Sequence, residues 1–195
     1  ISHLVLNEHG GVAALHSSKT DLRSRTAKCG AVLVSDRYLL TAAHCMAESE
    51  GLISISLGRE NLDERPNPGP DSYQIVEKHI HPQYNRARNS YNDIAIVKTD
   101  RKVEFSKKIW PYCLPDRNKV LDDYTTLEIS GYGFVNQSHT ASVLRTAFVR
   151  LVYNPRCKTM WKQSGRYDNL QRFSYPQGLT HQIVCAGRRG VDACE

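Results

Sequence analysis

Apolar residues along this chain come in short runs set off by turn residues. From Leu52 to Leu57, leucine and isoleucine alternate with serine, the pattern of a strand with one buried face. Cys29 to Val34 and Tyr38 to Ala42 are apolar runs around Ser35-Asp36-Arg37, which predicts a hairpin. Tyr73 to Ile80, Ile94 to Lys98, Thr125 to Ser130 and Leu144 to Val152 predict four more strands. The stretch from Asn61 to Asp71 holds Pro66, Pro68, Gly69 and Pro70. Proline has no N–H to give a ladder, so this is a surface loop. Only residues 154–164 predict a helix, with Asn154 as cap, Pro155 at the first position and Cys157 to Lys162 in the body. Many short strands with regular turns predict an all-β sandwich or barrel.

Ile109-Trp110-Pro111-Tyr112-Cys113-Leu114-Pro115 interrupts any ladder and divides the chain near its middle. At 195 residues the chain suffices for one large or two small domains, and 40% apolar with 24% charged residues marks a globular sequence. No run approaches the ~20 apolar residues of a membrane-spanning helix. No basic-then-apolar leader opens the chain, so in a secreted protein residue 1 is a processed end. The net charge of +6 is scattered over pairs such as Arg86/Arg88 and Lys107/Lys108, a solvated surface rather than a nucleic-acid stripe. His79 and His81 alternate on one strand face, but no third ligand follows, so no metal is expected there. Six cysteines without a CxxC pair fit disulfides in an oxidising compartment. Asn136-Gln137-Ser138 is a glycosylation sequon.

Three strings carry chemistry: Leu40-Thr41-Ala42-Ala43-His44-Cys45, Asn92-Asp93-Ile94-Ala95-Ile96-Val97 and Val191-Asp192-Ala193-Cys194-Glu195. In chain order they resemble the trypsin-like (chymotrypsin-fold) serine proteases of the S1 family. The resemblance implies two antiparallel six-stranded β-barrels with the active site in the cleft between them. Residues 1–195 would be one peptidase domain, incomplete at the C-terminus. Its N-terminal barrel takes approximately 1–108, the crossover linker 109–115 and the partial C-terminal barrel 116–195. Gly131-Tyr132-Gly133 resembles the family's Gly-Trp-Gly, with tyrosine for tryptophan.

Acyl transfer needs a nucleophile, a base to take its proton, and a group that fixes the base's tautomer. By resemblance His44 is the base and Asp93 its orienter, a carboxylate shielded from water at the mouth of a buried strand. Asp192 lies at the base of the specificity pocket, where an anion selects Arg or Lys. The nucleophile falls three residues past Glu195, in a Gly-Asp-Ser-Gly-Gly string. Ile1 takes the place of the activated N-terminus, though Ser2-His3-Leu4 replaces the usual Val-Gly-Gly.

The resemblance pairs Cys29 with Cys45 and Cys157 with Cys185. It joins Cys194 to a residue beyond the sequence and lets Cys113 tether an N-terminal regulatory segment. Six cysteines allow other pairings, a Cys113–Cys194 bridge among them. Leu127 stands where the family's usual third bridge would be. Calcium is a family option in the loop after Gly58, but Arg59 stands where a first carboxylate ligand is expected, with Glu60, Asp63 and Glu64 following. No cofactor is expected. Pro176-Gln177-Gly178-Leu179 and the long stretch from Cys157 to Cys185 look like the clip-domain proteases of arthropods, which are secreted zymogens.

The expectation is thus a secreted, zymogen-activated serine endopeptidase of an extracellular cascade, cleaving after Arg or Lys. Its partners would be protein substrates and protease inhibitors. The alternative is a catalytically inactive homologue serving as cofactor or binding protein.

Overall fold

Strands β1 (Val12–Ser17), β2 (Cys29–Leu33), β3 (Tyr38–Thr41), β4 (Leu52–Leu57), β5 (Ser72–Ile80) and β6 (Ala95–Thr99) close into an antiparallel barrel. Their spatial order is β1-β2-β3-β6-β5-β4. The computed structural model describes residues 10–17, 27–47, 52–64, 69–85, 87, 89–116, 125–136, 139–165 and 167–188. Alternation along the strands sends Ala13, Leu15, Ala31, Leu33, Leu39, Ile55, Leu57, Ala95 and Val97 into one core with Tyr73 and Val103.

Strand β1 escapes a reading based on alternation, for a clear reason. Ala13 and Leu15 face the barrel core, while Val12 and Ala14 face a second cluster with Leu62 and Tyr132. Both faces are buried, so the sequence shows no period of two. Its one polar interior residue, His16, places Nε2 3.1 Å from Ser56 Oγ on β4. The turn before β1 also sits under the linker. A Cβ on Gly10 would lie 2.4 Å from the Trp110 ring, and one on Gly11 would lie 2.4 Å from that of Tyr112. Only glycines let the linker lie this close. Trp110 N–H donates to Gly10 O at 3.3 Å and Tyr112 N–H to Leu33 O at 2.9 Å, fastening the strap to the barrel.

The second half holds β7 (Thr126–Gly131), a ribbon of β8 (Phe134–Asn136) and β9 (His139–Thr140), then β10 (Arg145–Val152) and β11 (Cys185–Gly187). Strands β11, β10 and β7 form an antiparallel sheet in that order. The chain is thus all-β in character, a closed barrel beside a second sheet. A short helix α1 (Ala43–Ala47) follows β3, and α2 (Asn154–Gln163) follows β10. Tyr167–Asn169 then runs into a π-helical turn, Leu170–Ser174. The sequence expectation makes Asn154 the cap of α2. In the structure the cap is Tyr153, with no side-chain capping bond. Asn154 is already helical, and its amide reaches Thr180 O at 3.4 Å.

A seam joins the halves. Leu62 N–H donates to Ser142 O at 2.8 Å and Leu144 N–H to Glu60 O at 2.7 Å. The buried Tyr132 hydroxyl donates to Arg59 O. Burial pushes the Tyr132 phenol up from 10.0 to about 12. The native state therefore keeps this proton where the unfolded state has lost it. That contribution is fully present below pH 10 and is lost as pH rises from 10 towards 12. Urea melts should show wild type losing about 1 kcal/mol more than Tyr132→Phe between pH 9 and pH 11. Equal losses contradict it.

Among the described residues of the loop after β4, a side chain stands where a calcium ligand would be needed. Arg59 Nε and Nη2 donate to Asp71 Oδ2 at 2.7 Å and Oδ1 at 2.8 Å. Nη2 also reaches Ser72 Oγ at 3.3 Å. Arg59 is 6% exposed, and its guanidinium takes both oxygens of Asp71. Asp63 and Glu64 point outward, so these residues do not fit a calcium ion. Arg59→Met should cost about 3 kcal/mol in urea unfolding, because Asp71 keeps a poorly solvated charge. Millimolar calcium should leave the wild-type melting temperature unchanged. A calcium-dependent rise of several degrees contradicts this account.

Candidate active site

Strand pairing sets the site. In the β3–β6 ladder Thr41 lies opposite Ala95, and the same register extended by two residues sets Asp93 opposite Ala43. The chain turns into α1 there, which places His44 beside Asp93. Asp93 then takes two donors at once. Its Oδ1 accepts the His44 backbone N–H at 2.8 Å, and its Oδ2 lies 2.7 Å from His44 Nδ1. An ionised carboxylate only accepts, so this contact needs a proton on Nδ1, and in the neutral ring that leaves the lone pair on Nε2. Cys45 Sγ lies 3.5 Å from Nε2, but it is a disulfide sulfur bonded to Cys29 and has no proton to give. The same bond makes Cys29, His44 and Cys45 unsuitable as a metal set, although their ligand atoms cluster. It also ties α1 to β2.

Asp93 differs from expectation in one respect. Its side chain keeps 31% exposure and that of His44 keeps 30%, so the carboxylate is half-buried rather than shut off from water. Nearby, burial first and the charge of Asp93 second push the Tyr84 phenol above its ordinary value.

The loop carrying Asp93 reaches the second half. Asn92 sits in the left-handed region at φ 57°, which asparagine tolerates better than most residues. Before it, Tyr91 is 7% exposed. Its hydroxyl donates to Gly178 O at 2.7 Å and accepts Gln177 N–H at 3.0 Å. Ser90 N–H donates to Ser174 O at 2.7 Å. The Tyr91 ring meets Tyr175 edge-on at 5.5 Å, and Tyr175 lies 5.5 Å from Trp161 on α2. Sequence reading missed Tyr91. Its one signal is an aromatic side chain set among polar residues directly before Asn92-Asp93.

The other sequence-derived residues are scattered. A disulfide joins Cys157 on α2 to Cys185 on β11. Cys113 is exposed, and its thiol is unbonded among the described residues. Ile1, Asp192 and Cys194 lie outside the described residues, as do Gln137 and Ser138 of the sequon and the side chain of Asn136. His79 lies 3.2 Å from Glu77, whose carboxyl is held below its usual range first by Lys98 and then by His79. His81 falls past the strand end, where its Nδ1 accepts Gln83 N–H at 3.1 Å. The two imidazoles thus serve separate local contacts. No helix among the described residues is long and apolar enough to cross a membrane.

Comparison with known proteins agrees with this geometry. The chain is 28% identical over 170 residues to trypsin 5G1 of Aedes aegypti, covering 86% of this chain and 58% of that protein. It is 27% identical over 204 residues to phenoloxidase-activating factor 3 of Holotrichia diomphalia, covering 97% and 55%. The chain therefore spans little more than half the length of these relatives. Among solved structures, neuropsin, a serine protease of mouse brain, superposes with a TM-score of 0.75 at 26% identity. That match covers 98% of this chain and 75% of neuropsin. The trypsin family model matches residues 9–195, nearly the whole sequence, and the chain belongs to the trypsin family of serine proteases.

Proposed function

We propose that this chain forms the catalytic part of a secreted serine endopeptidase that cuts after Arg or Lys. The observation that carries the reading is the double hold of Asp93 on His44, through the backbone N–H and through Nδ1. That hold fixes the tautomer whose Nε2 takes a proton, and it stabilises the imidazolium that results. In this reading the proton comes from the serine that family resemblance places past Glu195. His44 then returns it to the leaving amine, so base and acid are one ring. Asp192 supplies the anion that pairs with a substrate Arg or Lys.

The extracellular setting draws support from the two disulfides, which persist in oxidising compartments. Likeness to a phenoloxidase-activating factor supports a zymogen acting in a proteolytic cascade, with protein substrates and protease inhibitors as partners. Cys113, exposed in the linker, suits a tether to an N-terminal regulatory segment.

The test is turnover of amide substrates by the activated full-length protein. Arg and Lys at the cut position should be hydrolysed and neutral side chains should not. Asp93→Asn should lower kcat by about 10⁴-fold through the wrong tautomer. His44→Ala should lower it by about 10⁶-fold. Absence of any Arg or Lys hydrolysis overturns the reading and leaves an inactive homologue on a protease scaffold.

A further inference from the structure

The Asp93 loop is held from two sides, and only one hold belongs to the barrel. Downstream, β6 fixes it through its ladders with β3 and β5, and His81 N–H donates to Ile94 O at 3.1 Å. Upstream, the hold comes from the second half, through Ser90 on Ser174 and through both bonds of the Tyr91 hydroxyl. Between these holds lie Asn92 and Asp93 alone. Asn92 is already left-handed, and Ile94 N–H closes back on Asn92 O at 2.8 Å. So short a turn transmits a shift of Tyr91 directly to the Asp93 carboxylate. That carboxylate must meet two donors at once, and a small rotation loses one of them.

We propose that Tyr91 is a positioning residue for Asp93. Its hydroxyl pins the Asp93 loop to the turn at residues 175–178, so that the carboxylate meets both the backbone N–H and the ring of His44. The unusual Pro176-Gln177-Gly178 string thereby gains a role, since Gln177 N–H and Gly178 O are the two partners of that hydroxyl. Tyr175 and Trp161 extend the support to α2, whose Cys157 is bonded to Cys185. The long segment inside that disulfide thus becomes part of what holds the site. The proposal rests on the hydrolase reading only for its kinetic readout.

Tyr91→Phe removes one oxygen and keeps the ring. In the full-length protein, kcat on an Arg amide substrate should fall about tenfold with KM held within about twofold. The far-downfield proton NMR signal of a ring N–H bonded to a carboxylate should broaden or move upfield. Tyr153→Phe, which removes a phenol oxygen from an exposed side chain, should change neither. Wild-type values of kcat and of the signal in Tyr91→Phe overturn the proposal. So does a raised KM at unchanged kcat, or a wild type that lacks the signal. Should Tyr91→Phe fail to fold, Tyr175→Leu loosens the same stack and must lower kcat at constant KM; no change there overturns the proposal as well. A wild type that shows the signal without turning over substrate sinks the hydrolase reading alone. Loss of the signal in Tyr91→Phe then still supports the positioning role.

Discussion

Everything of chemical interest here depends on one carboxylate meeting two donors. Asp93 accepts the backbone N–H of His44 and the Nδ1–H of its ring, from two oxygens, at distances of 2.8 and 2.7 Å. A single hydrogen bond would leave the imidazole free to pivot about it. The backbone bond fixes where α1 starts relative to Asp93, and the ring bond then has one direction left. Barrel register does the coarse placement, since the β3–β6 ladder brings the two segments together before either side chain is considered. The Cys29–Cys45 bond adds a covalent limit on how far α1 can move from β2.

Around this point the molecule is fastened by bonds that cross between its halves. Arg59 shows how one residue serves two purposes there. Its guanidinium neutralises Asp71, and its carbonyl accepts the hydroxyl of Tyr132 from the second half. A buried cation tied bidentately to a carboxylate has little reason to admit a metal ion, whose charge it already supplies. At the other end of the seam the hydroxyl of Tyr91 plays the matching part, bonding two backbone groups that would otherwise lose water without compensation. Among the described residues, a buried phenol oxygen thus takes part in each of these two contacts between the halves.

Much of this was legible in the sequence, and the reasons are local. The hairpin around Ser35-Asp36-Arg37 and the strands β4 to β6 follow from period-two alternation, and the structure moves their ends by a residue or so. Helix α2 follows from its proline and its flanks. Strand β1 was hidden because both its faces are buried. Helix α1 was hidden because five residues carry too little periodicity to register. At the site, His44 and Asp93 were visible as strings, whereas their two-point geometry was not, because it depends on a register between segments about fifty positions apart. The contacts of Tyr91 were not readable for the same reason. Its partners lie far along the chain, and two of the contacts are to backbone atoms, which leave no mark in the sequence. The partial exposure of Asp93 was likewise not readable, since it depends on what the rest of the chain packs over the strand mouth.

The most direct test of the account is the tautomer of His44, read by nitrogen NMR of the labelled full-length protein with the ring neutral. A clasp by Asp93 requires the proton on Nδ1 and a bare Nε2. Protonated Nδ1, with its signal lost in Asp93→Asn, is the result the account predicts. A neutral ring protonated on Nε2 would contradict it, because no ring in that state can both hold Asp93 and accept a proton from a nucleophile.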